Sequence, residues 1–331
     1  MRKNWNAWLT GWRSGYSRAF PDPRPANSSL ADAGFIEICC VFQTFRGCRV
    51  NNDHAVTGQW PGVARVWPLL GPPLRPAGED VALLRAALGR YGPGEHALRV
   101  LILGVTPEFV DLPWPAGSRV EALDKTPEMI RYVWPGDSAL AHLGDWLQMP
   151  WDTPTFDVVL CDGGLQLLPY PQGLQTLATE LQRVLKPGGL CLFRLFAPSA
   201  VPRSAADVVR ALLDRKIANL NELKLQILLA MQPDPSRGVM LDAVWQYLHQ
   251  QLGDWETLAL RLGWDLPHLR AIDAYRGSSA VYHFFPVEQL QEFFSPANGF
   301  EFLQVATGSY PMALHCPVLT LRLSANVAAP E

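Results

Sequence analysis

The residues best placed to do chemistry are small or acidic and stand at the ends of short apolar runs. Gly104 closes the run 98–104, Asp124 closes 119–124, Gly144-Asp145-Trp146 follows 138–143, and Asp162-Gly163 closes 156–162. A glycine at the end of a first strand lets a ligand approach the backbone. An acid about twenty residues later, closing a second strand, accepts hydrogen bonds from ribose hydroxyls. Asp124 follows Gly104 at that separation. Either residue alone also serves merely to end a strand, so the weight falls on the ordered set.

The elements that must position these groups are legible from the same runs. Segments 98–104, 119–124, 138–143, 156–162 and 190–196 are too short for a membrane span and apolar nearly throughout, as strands of a parallel sheet buried on both faces are. In such sheets ligands sit beyond the carboxyl ends of the strands, where chain order reverses. Helices are expected over 80–90, 126–133 and 173–185. Thr126-Pro127-Glu128 supplies an N-cap, a first-turn proline and an acid at the positive helix end. Lys186-Pro187-Gly188-Gly189 stops the third helix and turns the chain directly into the fifth strand. From 205 the pattern becomes helical (205–218, 220–231, 239–251, 255–263 and 286–294), and strand character returns at 300–305 and 317–323. The expectation is a doubly wound, mostly parallel, seven-stranded Rossmann-like α/β sheet. Its divisions would be a Trp- and Pro-rich N-terminal extension or lid (1–76), a core (77–203), an inserted helical cap (204–295) and C-terminal strands completing the sheet (296–331).

Bulk properties narrow the function. A net charge of −3 without a basic stripe argues against a nucleic-acid partner. No run approaches a membrane span, and the charged start at Met1 is followed by no apolar leader, so no membrane association or secretion is expected. Six scattered cysteines suit a reduced, cytoplasmic setting. Cys39, Cys40, Cys48 and His54 match no zinc spacing, and no metal site is expected. The tryptophans Trp5, Trp8, Trp12, Trp60 and Trp67 read as packing, with an aromatic cage for a cationic substrate as the alternative. His142 reads as structural. Within the cap, 274–286 breaks helical periodicity and gathers Tyr275, Arg276, Tyr282 and His283, which are nominated as substrate-facing; a plain connector between two helices is the competing reading.

The order of the Gly104 turn, the Asp124 acid, Gly144-Asp145-Trp146, the 156–162 strand and the Leu185-Lys-Pro-Gly-Gly189 turn closely resembles the class I S-adenosylmethionine-dependent methyltransferases. The resemblance covers roughly 95–200, and 300–325 by strand pattern. It implies S-adenosylmethionine as cofactor. Gly104, Val105 and Thr106 would face the methionine part, and Asp124 the ribose hydroxyls, with Lys125 and Met129 bordering the adenosine. Gly144, Asp145 and Trp146 would lie at the adenine, and Asp162 and Gly163 at the transferable methyl. The first loop departs from the family pattern, with Ile102, Thr106 and Glu108 in slots usually held by an acid and further glycines. Glu108 either replaces the missing acid near the cofactor's amino group or complements a helix dipole.

The expected reaction is in-line methyl transfer to an oxygen or nitrogen of a small molecule. His283 or Asp162 would serve as general base if the acceptor carries a proton. The alternatives are a nicotinamide-dependent oxidoreductase, disfavoured by the missing Gly-x-Gly-x-x-Gly, and a non-catalytic binding protein that keeps the fold.

Overall fold

The computed structural model describes residues 59–325. Trp5, Trp8, Trp12, Cys39, Cys40, Cys48 and His54 lie outside the described residues, as does most of the expected N-terminal extension.

The chain builds the sheet from β1 (Arg99–Leu103), β2 (Arg119–Asp124), β3 (Ala141–Leu143), β4 (Phe156–Asp162) and β5 (Leu185–Arg194). A separate two-stranded ribbon pairs β6 (Val239–Met240) with β7 (Val281–Tyr282). The hairpin β8 (Phe300–Ala306) and β9 (Val318–Leu323) then returns to the main sheet. Its seven strands run β3-β2-β1-β4-β5-β9-β8, with β1 to β5 parallel and β9 antiparallel to both neighbours. The expected mostly parallel α/β sheet is thus observed. Chain order reverses between β1 and β4, which are paired from Val100↔Val158 to Leu103↔Cys161.

Two-sided burial follows from the pleat. Val100 and Ile102 of β1 join Val158 and Leu160 of β4 in one apolar cluster, under Leu84 of α2 (Gly78–Tyr91). Leu101, Leu103, Val159 and Cys161 point the other way, against Leu174, Leu177 and Leu181 of α5 (Gln172–Val184). Successive side chains alternate between faces, so each strand must be apolar throughout.

The remaining helices are α1 (Trp60–Arg65), the four-residue α3 (Pro107–Val110) and α4 (Pro127–Val133) on the core side. After β5 come α6 (Ala205–Leu213), α7 (Leu220–Met231), α8 (Leu241–Leu252), α9 (Trp255–Leu262) and α10 (Leu266–Arg270), sharing an apolar cluster of their own. The last helix, α11 (Val287–Phe293), differs from expectation. Leu290, Phe293 and Phe294 pack into the sheet cluster with α5, so 287–293 flanks the sheet and does not belong to the cap cluster. Two smaller differences concern strand bounds. Residues 138–140 form a 3-10 turn capped by Asp137, leaving three residues for β3. The Lys186–Gly189 turn is a bulge inside β5: pairing jumps from Phe156↔Leu185 to Val158↔Leu190, and Gly188 takes φ +80°.

The carboxyl ends of β4 and β5 are fixed by one buried cation. Arg194 is fully buried and donates from Nε to Asp80 of α2 (2.8 Å), from Nη1 to Asp162 (2.7 Å) and from Nη2 to the Pro73 carbonyl (2.6 Å). Tyr310, between β8 and β9, donates its hydroxyl to Asp80 at 2.8 Å. The guanidinium presents its donors to these partners in a fixed planar fork, which a freely rotating ammonium does not.

Among the described residues no helix is long and apolar enough to cross a membrane. Cys161, Cys191 and Cys316 are buried free thiols. Arg194→Met is expected to cost about 3–5 kcal/mol, because it strands two buried carboxylates. Urea denaturation would read this as a lower midpoint. Adding Asp80→Asn should recover part of the loss, since the two sites share one network.

Candidate active site

A cleft of about 1380 Å³, part of it open to solvent, lies over the carboxyl ends of β1, β2, β3 and β4. All eleven residues expected to face the cofactor line it: Gly104, Val105, Thr106, Asp124, Lys125 and Met129, then Gly144, Asp145, Trp146, Asp162 and Gly163.

Its floor is organised around Gly104. The Gly104 N–H donates to the Leu123 carbonyl (2.9 Å) with φ +94°, folding the chain across the end of β2. A Cβ there would stand 3.7 Å from the Trp146 ring and 3.9 Å from Asp124 Oδ2, so an indole, a carboxylate and bare backbone meet at one point. Trp146 is held by its own N–H, which donates to the same Leu123 carbonyl at 2.7 Å. Its ring also lies against Gly164, where a Cβ would come within 2.8 Å of it. Gly104 leaves room for a ligand and Gly164 leaves room for the indole.

The two acids at this end differ. Asp124 accepts the Thr126 N–H on Oδ1 (2.7 Å), the turn that starts α4. Burial nevertheless pushes its pKa up to about 6, and the Thr126 N–H only partly offsets this. Asp145 is exposed and uses Oδ1 to accept the Leu147 N–H at 2.9 Å.

Asp162, at the β4 end, is nearly buried and bonded to Arg194. Burial raises its pKa to about 6 against the pull of that guanidinium. It lines the cleft, with its Oδ1 bonded to Arg194 across the ends of β4 and β5. His142 is structural in its contacts, Nε2 lying 2.9 Å from the buried Glu121, which also meets Arg99 and Arg119.

The upper half of the cleft is apolar. Trp60 and Val63 of α1, Leu225 and Leu228 of α7, Phe284 and Phe196 supply its walls. Tyr275 and Tyr282 reach it as expected; Arg276 and His283 are not part of its lining. His283 follows the end of β7 and turns away from the cleft, its Nδ1 2.7 Å from the Pro235 carbonyl. Arg276 stacks its guanidinium over Trp245 at 5.0 Å. Both leave the substrate set, and His283 leaves the set of base candidates.

Sequence reasoning missed three polar contributors. Gln59 donates to the Tyr282 hydroxyl (2.8 Å) and accepts from Ser278 (3.4 Å), joining the α1 segment to β7. Gln166, in the 3-10 turn after β4, lines the cleft and accepts the His283 N–H at 2.9 Å. Lys224 is buried and lines the cleft from α7. A signal for Lys224 did exist: Leu220, Lys224 and Leu228 share one helical stripe, with a cation where an apolar residue belongs.

The raised pKa of Asp124 has a consequence for stability. Between the ordinary aspartate value of 3.8 and about 6 the folded chain holds a proton that the unfolded chain has released. Stability therefore falls as pH rises through that window, and the penalty is complete above it. Asp124→Asn keeps an acceptor for Thr126 and removes the charge. It should stabilise the ligand-free protein at pH 8 by about 1–2 kcal/mol, allowing for cleft water, and have little effect at pH 4, as thermal unfolding would show.

Comparison with known proteins bears on the same residues. The methyltransferase-domain family model matches residues 104–193, from the Gly104 turn to the end of β5. No curated protein matches the chain in sequence. A Rhodobacter sphaeroides protein provisionally assigned to the Zn-dependent alcohol dehydrogenases superposes with TM-score 0.51 at 15% identity, covering 81% of this chain and 98% of its own; that likeness is one of fold. Among the described residues no group of three or more His, Cys, Asp or Glu is placed to hold a metal. A Burkholderia thailandensis 1,6-didemethyltoxoflavin-N1-methyltransferase gives TM-score 0.44 at 16% identity over 85% of this chain and 93% of that one. A Haloferax volcanii structure of the Trm112 methyltransferase activator in complex with a protein provisionally assigned as a methyltransferase gives 0.46 at 14% over 80% and 97%. Residues 104–193 thus match a methyltransferase domain, and they lie within a sheet of Rossmann-like strand order.

Proposed function

We propose that this cleft binds S-adenosylmethionine along its floor and transfers the methyl group to an oxygen or nitrogen of a small molecule held in its apolar upper half. The observation that carries this reading is the meeting of Asp124, Trp146 and the Gly104 backbone at the reversal point of the sheet.

The residues fit a nucleoside without phosphates. A diphosphate needs a glycine-rich turn leading into a helix whose free N–H groups point at it. Here Thr106-Pro107 follows the turn, the proline removes one donor, and α3 has four residues. This argues against a nicotinamide cofactor. Asp124 would accept the ribose hydroxyls, with Trp146 and Met129 offering apolar contact and Asp145 an acceptor at the rim. Among the described residues, Glu108 has one buried carboxylate oxygen without a hydrogen-bond partner, while the other pairs with Arg75. It suits the role of acceptor for the cofactor's ammonium group.

The sulfonium supplies an electrophilic methyl carbon when bound. The chain's own contribution is positioning and dryness. The Arg194 network holds Asp162 and Gly163 at the β4 end, while α1 and α7 wall off water.

Titration calorimetry with S-adenosylhomocysteine tests the reading. Asp124→Ala should weaken binding by about 1–3 kcal/mol, the loss of charge-assisted hydrogen bonds. Wild-type affinity should also fall as pH drops below about 6, where Asp124 takes up a proton. An unchanged dissociation constant in the variant, or tight nicotinamide-dinucleotide binding in its place, overturns the reading.

A further inference from the structure

Lys224 is an anomaly within the cleft. Its side chain is buried on α7 between apolar neighbours, and Leu225 and Leu228 of the same helix line the same wall. Of its three ammonium donors, one reaches the Ala271 carbonyl at 3.0 Å. The Tyr275 ring lies 5.1 Å from Nζ, and both Ala271 and Tyr275 line the cleft with it. Among the described residues no carboxylate forms an ion pair with it. The nearby acid, Asp273, gives its Oδ1 to the indole N–H groups of Trp245 and Trp255. Desolvation lowers the Lys224 pKa to about 8, against the opposing pull of the Asp273 charge.

A buried cation without an anionic partner is costly unless something pairs with it. Two phenols line the same cleft: Tyr275, whose ring faces the ammonium, and Tyr282, whose hydroxyl accepts from Gln59. We propose that the methyl acceptor is an anion, an apolar or aromatic body bearing a carboxylate or equivalent anionic oxygen that pairs with the Lys224 ammonium. This rests on the cleft being the acceptor site of the transferase described above. It assigns Lys224 to substrate selection, where the two unused N–H donors meet the anion and the surrounding walls meet the body. Low local dielectric strengthens that pairing relative to water. A neutral isostere of the same shape would leave the ammonium unpaired, so discrimination should be steep.

The experiment uses matched probes of equal shape, benzoate against benzamide and indole-3-acetate against indole-3-acetamide. Binding is measured by calorimetry on the full chain with S-adenosylhomocysteine present. The expected result is that each carboxylate binds at least tenfold more tightly than its amide. The preference should fade as pH rises above about 8, where Lys224 loses its proton, and should disappear in Lys224→Met. That variant should also melt higher than wild type without ligand, because it replaces an unpaired buried charge with an apolar chain of similar length. Lys224→Arg keeps the charge and should keep part of the preference. Equal binding of acid and amide, no acid-dependent binding by either pair, or a preference that survives in Lys224→Met overturns the assignment. Binding of S-adenosylhomocysteine alone is recorded for each protein. Its loss in wild type would sink the cofactor reading, whereas its persistence without acid selectivity would sink only the role of Lys224.

Discussion

The architecture depends on the guanidinium of Arg194 being neutralised where no water reaches it. Two carboxylates, backbone carbonyls and the Phe196 ring surround it, drawn from α2, the segment before α2 and the ends of β4 and β5. Such a cluster adds little net stability over a well-packed apolar one, but it tolerates no missing member. What it provides is alignment. β4 and β5 cannot slip relative to α2 without breaking charged hydrogen bonds in a dry interior, so the loop that follows Asp162 is held where the cleft needs it.

The cleft built on that platform has two characters. Its floor is made of strand ends, where glycines and acids expose polar backbone and carboxylates. Its upper walls come mostly from helices, where Trp60, Leu225 and Leu228 present carbon, with Phe284 added from the segment after β7. The division suits a reaction in which a charged sulfonium meets a nucleophile and both lose water first. Asp124 shows the strain of the arrangement: the carboxylate proposed to meet a ribose is also one that burial disfavours as an anion. Stability and ligand binding pull against each other at that residue.

The sheet could be read from the chain because each parallel strand is a short apolar run ended by Gly or Asp, and those end residues are also the floor of the cleft. The floor was therefore legible together with the fold. The walls were not. Leu225 and Leu228 look like ordinary core leucines, and nothing local says that the stripe they share with Lys224 faces a cavity. Arg194 stands alone in an apolar strand, and its partners are sequence-distant, so its meaning exists only in three dimensions. Val287–Phe293 resembles the cap helices in composition yet packs on α5, because helical periodicity names an apolar face but not what covers it. Tyr275 and Tyr282 were separable from Arg276 and His283 only once the backbone fixed which side chains point inward.

The contact of Gln59 with Tyr282 and Ser278 bears on the walls of the chamber. It joins the segment leading into α1 to the β7 ribbon by two neutral hydrogen bonds, with no ion pair between them. Such bonds are each worth about 1 kcal/mol net, so parting them takes little more than thermal agitation. So light a fastening sets how the two walls face each other while adding little to the stability of the fold.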